Sequence, residues 1–423
     1  MGRVPAAFPS GVTLTEGSSV IPFVESIEEI ERGPICGAER VESWVIDNGL
    51  IRVEAAPMGG SVLSIQKSGD EYLWRNRGGT AYSGAGSETY PLTRGVLQPG
   101  GVRLCAVAPE HGLYYDSDWD IDFAADGRGS SIVLSITDSR ENRDLLHDTL
   151  SYGYFSVPGS PIPMGRYPVT DAEFRLEITL RPREDFVRLQ VSLVNPGRTP
   201  IRSEIWLSQT YPVDTSSRII SHQRKRRCKD PWVHGAMIEG KFQSVDMALD
   251  DASTTTPYVG TSGSILRWPP TPTQGGAAAD LDKPLDWPSS TGGILYDYPH
   301  RDGAYHAVSF GDGRGVAYVT HSDAARPHYT KMWSWGDRAL YDRQEALRRD
   351  PPLLGGRPTT EYYEPWGSAF TPAFFEPTEF PPGESSWHAL IVPIDSGLDR
   401  GMKSAQLRRR VDAIVDPLLV DLP

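Results

Sequence analysis

The stretch over residues 174–195, FRLEITL-RPRED-FVRLQVSLVN, decides the fold class of this chain. Apolar and polar residues alternate in the two runs on either side of RPRED, which is the pattern of a strand with one buried face. The turn-forming residues RPRED between the runs predict a β-hairpin. A second hairpin is predicted where HAVSF and GVAYVT flank residues 311–314. Both hairpins indicate an antiparallel sheet.

Further strands are predicted outward from these two hairpins. They cover residues 44–54, 61–66, 131–137, 201–210 and 387–393. Strands that follow one another without helical periods between them favour an antiparallel sandwich over a βαβ fold. The predicted fold class is therefore all-β.

The same patterns predict the domain organisation. Helix signals are confined to residues 342–349 and to residues 404–415, where Leu407, Val411 and Ile414 share one helix face. We predict one large sandwich, preceded by an extension and followed by a helical tail. Their predicted bounds are 1–43 for the extension, 44–395 for the sandwich and 396–423 for the tail.

Composition excludes several classes of function. The net charge of −13 argues against nucleic acid as a partner, because a phosphate backbone needs a basic face. Three widely spaced cysteines, Cys36, Cys105 and Cys228, indicate neither a disulfide framework nor a zinc motif. No membrane span, secretory signal, nucleotide-cradling loop or metal motif is recognisable, so we expect no membrane partner, no cofactor, no metal and a cytoplasmic location.

Short motifs in a fixed order carry a resemblance to a known superfamily. DNGLIRV (47–53), PMGGSVLSI (57–65) and EYLWRN (71–76) resemble the opening of the galactose mutarotase-like, or aldose 1-epimerase, superfamily. PEHGL (109–113) and WDI (119–121) are similar to motifs of hexose-phosphate epimerases. KMWSWG (331–336), YYEPWG (362–367) and PGES (382–385) resemble motifs of the mutarotase-like DUF5107 domain.

This resemblance implies a fold and a class of chemistry. The fold is an antiparallel β-supersandwich with a sugar-binding groove on its concave face. The implied function is general acid/base catalysis at or next to the anomeric carbon of a mono- or oligosaccharide, neutral or anionic. A glycoside hydrolase, a polysaccharide lyase and a non-catalytic carbohydrate-binding protein are the alternatives, because one fold serves many functions. The resemblance does not decide whether the protein forms a homo-oligomer.

Two residues are the first candidates for proton transfer. The reaction needs one group that accepts a proton and another that donates one near neutral pH. Glu364 is followed by Pro365 and Trp366, and an indole that desolvates a carboxylate raises its pKa. The resemblance places Glu364 where mutarotases keep their general base, and His111 where hexose-phosphate epimerases keep a site histidine. A surface glutamate and a loop histidine are the structural alternatives.

The chain departs from the mutarotase pattern at one point. Mutarotases carry their proton-donating histidine just after the strand that corresponds to residues 204–207, and here the sequence continues Ser-Gln-Thr-Tyr. Another group would have to donate the proton. The candidates for the proton donor are Tyr211, His222 and His234. The missing histidine also favours a hydrolase or lyase as the alternative function.

Aromatic and basic residues are the candidates for binding the sugar. Lys331, Trp333 and Trp335 would share one face if they lie on a strand, and indoles stack on the C–H surface of sugars. Trp366 joins them through the resemblance. Arg94 and Arg103 could bind a carboxylate or phosphate of an anionic sugar. The structural alternatives are a core pair of tryptophans with a lysine whose charged end reaches water, and surface ion pairs for the two arginines.

Overall fold

A computed structural model of the chain provides the structure. It describes the following residues: 11–26, 35–74, 100–107, 113–114, 117–144, 168–212, 218–221, 235–238, 241–244, 293–300, 304–310, 312–321, 328–335, 353–354, 357–358, 366–371, 378–399 and 401–419.

The first sheet has eleven antiparallel strands. Nine of them run in the order β1-β2-β3-β4-β6-β11-β21-β18-β15, with β5 beside β4 and β22 beside β11. Their bounds are β1 Thr13–Ser26, β2 Ile35–Asp47, β3 Ile51–Ala56, β4 Ser61–Lys67, β5 Asp70–Glu71, β6 Val102–Val107, β11 Ile201–Pro212, β15 Gly293–His300, β18 His328–Trp335, β21 Trp366–Thr371 and β22 Thr378–Phe380.

The second sheet has eight antiparallel strands in the order β12-β16-β17-β23-β10-β9-β8-β7. Their bounds are β7 Asp120–Asp126, β8 Gly129–Thr137, β9 Glu173–Leu180, β10 Val187–Asn195, β12 Arg218–Ser221, β16 Ala304–Ser309, β17 Asp312–His321 and β23 Gly383–Asp399. Two short hairpins, β13 Gly235–Ile238 with β14 Lys241–Ser244 and β19 Leu353–Leu354 with β20 Arg357–Pro358, form separate pairs. The helices of the described residues are α1 Arg140–Asp144 and α2 Ser404–Leu419.

The main core lies between the two sheets. Strand β9 shows why, because its buried and half-buried residues alternate and Phe174, Leu176 and Ile178 all enter the core. Ile205 and Leu207 of β11 enter the same core from the first sheet. We call the face of each sheet that is turned to the other sheet its inner face, and the opposite one its outer face. The all-β sandwich predicted from alternation is confirmed.

Both predicted hairpins are present, and one predicted strand is wrong. Strand β10 pairs with β9, and β17 pairs with β16, each in antiparallel register. Residues 44–54, predicted as one strand, instead form the hairpin β2–β3. Asn48 causes the turn, since its side-chain oxygen accepts from the backbone N–H groups of Leu50 and Ile51. Gly49 follows with a φ of 83°, which favours glycine.

The C-terminal helix covers part of the outer face of the second sheet. Leu407, Val411 and Val415 of α2 are buried against a cluster that includes Val319 and Val392. The helix predicted over 404–415 is therefore present, and it extends to Leu419. Its packing buries apolar side chains that would otherwise face water, which stabilises the fold.

The N-terminal residues contribute strands to the first sheet. Strand β1 pairs with β2 along its length, and β2 runs across the predicted boundary at residue 43. The bounds of the extension, sandwich and tail stay a prediction. Among the described residues, no helix is long and apolar enough to cross a membrane.

Candidate functional site

The register of the first sheet separates its inner and outer positions. On β11, Ile205, Leu207 and Tyr211 belong to the inner core, so Ser208 and Thr210 occupy outer positions. The same alternation on β6 places Leu104 on the inner face and Arg103 on the outer face. From β6 and β11 the register extends this assignment to β21, β18 and β15.

One line of outer positions crosses six neighbouring strands, and we call it the central row. Each member is directly paired with the next in the antiparallel register. Directly paired residues in an antiparallel sheet have Cβ atoms about 4.5–5.5 Å apart. The central row therefore connects two basic residues that are far apart in sequence. Its members are Ser61, Arg103, Ser208, Phe370, Lys331 and Asp297.

The tryptophan positions follow in the next two rows of the same sheet. Trp333 is paired with Ser368, which is paired with Thr210. Trp335 is paired directly with Trp366. Strand β18 thus brings positions 331, 333 and 335 to one side by alternation, as the sequence pattern predicted for a strand there. Four of the predicted binding residues, including Trp366, are neighbours in the register, and Arg103 lies in the same row as Lys331.

Arg103 and its neighbour Cys105 are both buried. Arg103 is only 3% exposed, and Ser61 and Ser208 on either side of it in the register are buried as well. Burial raises the pKa of the Cys105 thiol to about 11, although nearby Arg103 and the backbone at Ser208 lower it in part. In the central row the buried Arg103 therefore lies between the buried residues Ser61 and Ser208.

A backbone junction joins Trp74, Gly101 and Thr210 beside the central row. The Trp74 N–H donates to the Thr210 carbonyl at 2.9 Å, and the Gly101 N–H donates to the Trp74 carbonyl at 2.8 Å. Thr210 completes the junction by donating its N–H to the Gly101 carbonyl at 2.9 Å. Gly101 has a φ of 75°, and a Cβ there would come within 2.0 Å of the Val62 carbonyl oxygen. Glycine is therefore required for this close approach.

Glu71 of the EYLW motif has a structural role. Its carboxylate accepts from the backbone N–H groups of Ile65 and Leu73 at 3.0 and 2.9 Å, and from the Ser64 hydroxyl. These bonds hold the turn after β4 so that Trp74 reaches the junction with Thr210. Charge-assisted hydrogen bonds of this kind are stronger than neutral ones.

Two other motifs of the resemblance contact each other. The Gly59 N–H donates to the Ser117 carbonyl at 2.8 Å, and the Trp119 N–H donates to the Pro57 carbonyl at 3.0 Å. Gly60 has a φ of 55°, and a Cβ there would lie 2.6 Å from the Trp119 ring. The PMGG turn and the Trp119 segment thus pack as one unit.

The chain just after His111 is anchored by a buried ion pair. Tyr114 donates from its hydroxyl to Asp138 at 2.5 Å, and Arg143 contacts the same carboxylate at 2.5 Å. Thr170 adds a hydroxyl bond to Asp138 at 2.8 Å. Burial, followed by the Asp138 charge, raises the pKa of the Tyr114 hydroxyl. This network fixes the position of Tyr114 between the two sheets.

The candidate proton donor Tyr211 lies in the inner core, on the face opposite to the central row. It is 1% exposed, and its hydroxyl donates to the side-chain oxygen of Gln209. Burial, with a smaller contribution from Tyr318, raises the pKa of the Tyr211 hydroxyl well above its ordinary value. This placement favours a structural role and does not bring Tyr211 toward the binding positions.

The remaining candidates lie outside the described residues. They are Glu364, His111, His222, His234 and Arg94. Glu364 precedes the first residue of β21, Trp366, by two positions in the sequence. Their roles stay predictions. Among the side chains that the structure describes, no group of three His, Cys, Asp or Glu residues forms a metal site.

Ser61, Ser208 and Thr210 are outer-face residues that the sequence analysis did not select. Serine and threonine are common in strands, so their residue type does not indicate a functional site. Only the register with Arg103 shows that Ser61 and Ser208 share its row. The sequence differs from the mutarotase pattern at residues 208–211, where it has no histidine. This difference draws attention to the segment, but it does not single out Ser208 or Thr210.

The strands define a two-sheet antiparallel β-sandwich. No protein-family model matches the chain. No curated protein matches it either.

Several solved structures are similar to this chain. A TPR-domain containing protein from Parabacteroides distasonis is 13% identical with a TM-score of 0.51, and the match covers 93% of this chain but only 57% of that protein. A galactose mutarotase related enzyme from Lactobacillus acidophilus is 10% identical with a TM-score of 0.48, covering 84% and 99% of the two chains. A galactose mutarotase-like protein from Lactobacillus casei is 9% identical with a TM-score of 0.42, covering 83% and 99%. At such identities the similarity is one of fold alone.

Proposed function

We propose that the outer face of the first sheet binds a saccharide and that the protein acts on it at or next to the anomeric carbon. The observation that carries this proposal is that the register pairs Trp335 with Trp366, while Trp333 and Lys331 lie two and four positions earlier on the same strand and on the same side of the sheet. Indoles offer flat surfaces for the C–H faces of a sugar, and their N–H groups bind hydroxyls. Lys331 and Arg103 add positive charge for a hydroxyl, a carboxylate or a phosphate.

The proposed reaction is proton transfer of the aldose-epimerase type. Glu364 is the proposed proton acceptor, since it comes two positions before Trp366 at the start of β21. His111 and His234 are the proposed donors, because Tyr211 is buried in the inner core. An acceptor and a donor on opposite sides of the anomeric carbon would open and reclose the ring.

A non-catalytic carbohydrate-binding protein is the second candidate. The specific observation in its favour is that the outer positions of β11 carry Ser208, in the central row, and Thr210, next to that row, rather than a histidine. Binding of a sugar without its turnover would favour this candidate. Cleavage of an oligosaccharide would instead favour the hydrolase or lyase.

The test is a binding screen with paired variants. Neutral hexoses, uronic acids, hexose phosphates and oligosaccharides are titrated calorimetrically against the full chain. We expect Trp333→Ala to weaken binding of the sugar that binds best by about tenfold, which corresponds to ~1.4 kcal/mol of lost stacking.

Trp44→Phe is the matched control for that screen. Trp44 packs on Phe123 with ring centroids 4.6 Å apart, away from the outer positions of β18. We expect this variant to keep the affinity of the parent protein. Equal binding by Trp333→Ala and the parent protein would contradict the proposed site.

A further inference from the structure

Strand β1 forms one edge of the first sheet. Among the strands that the structure describes, β1 pairs with β2 alone, and β2 pairs with β3 on its other side. An edge strand directs backbone N–H and C=O groups away from its sheet, and these groups can pair with a strand of another chain. Strand β1 is 14 residues long, whereas a typical strand has about 5–6 residues. The edge is therefore long enough to receive a further strand.

Residues 13–18 form an exposed part of this edge, and we call them the open edge. All six are exposed except Leu14, which is half-buried and packs against the main core. Leu14 thus marks the inner side of β1, and by alternation Glu16 and Ser18 lie on that side too. Both are exposed although they occupy inner positions.

The position of the second sheet explains this exposure. Its edge strand β7 places Phe123 against Trp44 of β2, with ring centroids 4.6 Å apart. Strand β1 is the next strand beyond β2, so it projects past β7. The second sheet, as far as the structure describes it, therefore does not block a further strand beside β1.

The neighbouring edge strand β7 is protected in a way that β1 is not. In seven residues, β7 exposes the three aspartates Asp120, Asp122 and Asp126. Charged side chains on an edge strand oppose its pairing with another chain. The open edge carries one charged residue, Glu16, among its six. Pairing with another chain is therefore less opposed by charge at β1 than at β7.

A second copy of this chain offers a strand that fits the open edge. A two-fold axis perpendicular to the sheet would place two copies of β1 antiparallel, with their inner sides on the same side of the joined sheet. Directly paired residues would then share a side, so the residue numbers of each pair add up to an even number. Two such registers pair five residues of the open edge. One is centred on Thr15 and the other on Glu16.

Charge distinguishes these two registers. The register centred on Glu16 puts this carboxylate opposite Glu16 of the second copy, and like charges that are directly opposite destabilise a sheet. The register centred on Thr15 instead pairs Glu16 with Leu14 of the second copy. It also makes a Thr–Thr pair on the axis, which is a favourable cross-strand pair. The register centred on Thr15 is therefore favoured.

We propose that the protein forms a symmetric dimer in which β1 pairs with β1 of a second copy, antiparallel and with Thr15 on the two-fold axis. The first sheets of the two copies would then form one continuous sheet. Because the pairing uses the backbone of β1, the proposal does not depend on the carbohydrate function.

Sedimentation velocity of the full chain over a range of concentrations tests the dimer. We expect the parent protein to reach twice the mass of the chain as its concentration rises. Thr15→Lys should raise the dissociation constant at least tenfold, because it places two lysines opposite each other on the axis. Ala413→Lys is the matched control, at an exposed position of α2, and should dimerise as the parent does. Far-ultraviolet circular dichroism checks that each variant is folded.

Disulfide cross-linking tests the register. Thr15→Cys should form a covalent dimer on mild oxidation, because the paired Cβ atoms, about 4.5–5.5 Å apart, lie near the separation of about 3.5–4.5 Å in a disulfide. Ala413→Cys should give no more covalent dimer than the cysteines of the parent allow. The proposal is overturned if the parent stays monomeric at every soluble concentration, if Thr15→Lys dimerises as tightly as the parent, or if Thr15→Cys cross-links no better than Ala413→Cys.

Discussion

The outer faces of the two sheets are built from opposite kinds of residue. The second sheet presents Val319, Leu390 and Val392 outward, and α2 covers them with Leu407 and Val411. The first sheet instead presents buried polar residues in its central row and beside it. These include Ser61, Ser64, Arg103, Ser208 and Thr210.

This difference separates an apolar outer face that a helix covers from an outer face whose buried positions are polar. An apolar outer face lowers the free energy of the folded chain when a helix covers it. Buried polar groups need hydrogen-bonding partners, as Ser64 has in Glu71, so a polar outer face does not stabilise the fold in the same way. Binding of a polar ligand such as a sugar is the role that we propose for it.

The largest effect is expected at the proposed catalytic residue. Glu364→Gln removes the proton acceptor and keeps the shape, so turnover of the natural sugar should fall by roughly 10²–10⁴-fold with little change in binding. Kinetic assays with the sugar identified in the binding screen measure this change. Glu379→Gln, at an exposed position of β22, is the control and should keep full turnover. Near-normal turnover in Glu364→Gln would exclude this residue as the proton acceptor.

The next largest effect is expected on the covered face of the second sheet. Leu407 is 1% exposed, and Leu407→Ala should lower the free energy of unfolding by about 2–5 kcal/mol through lost burial and a new cavity. Urea unfolding measures this change. Arg409→Ala, at an exposed position of the same helix, should have little effect. Weaker sugar binding by folded Leu407→Ala would show that the two outer faces are not independent.

A smaller effect is expected where two motifs of the first sheet meet. Gly60→Ala combines a positive φ with a clash against Trp119, so it should lower the free energy of unfolding by roughly 1–3 kcal/mol. Gly49→Ala is the control, since its φ of 83° is also unfavourable but no atom lies within 4 Å of the added Cβ. Thermal or urea unfolding should rank Gly60→Ala below Gly49→Ala. The reverse order would contradict the packing of the PMGG turn on Trp119.

The smallest effect concerns the dependence of stability on pH. Burial raises the pKa of the Cys105 thiol from its ordinary value of 9.0 to about 11 in the folded protein. Above the lower value the unfolded chain loses this proton while the folded chain keeps it, so stability falls as pH rises toward the folded value. The parent protein should therefore lose about 1 kcal/mol per pH unit relative to Cys105→Ala over this range. Urea unfolding at pH 8 and pH 10 measures the difference, and parallel pH dependences would mean that the thiol is not buried.

The sequence by itself determined the class of the fold and the two hairpins. Alternation along β9 and β10 is a local property, because successive side chains of a strand face the core and the opposite side in turn. The helix α2 was predictable for the same reason, through its one-face spacing. The turn at Asn48 was missed because β2 and β3 read as one apolar run, although the Asn-Gly pair is a known turn signal.

Only the tertiary structure decided which distant residues become neighbours. Arg103 and Lys331 share the central row through pairings along β6, β11, β21 and β18, and no local pattern contains that information. Tyr211 looked like a candidate donor in the sequence, yet its parity on β11 directs it into the inner core. Register is the physical reason, since a shift of one residue exchanges the two faces of a strand and only the packing of both sheets fixes it.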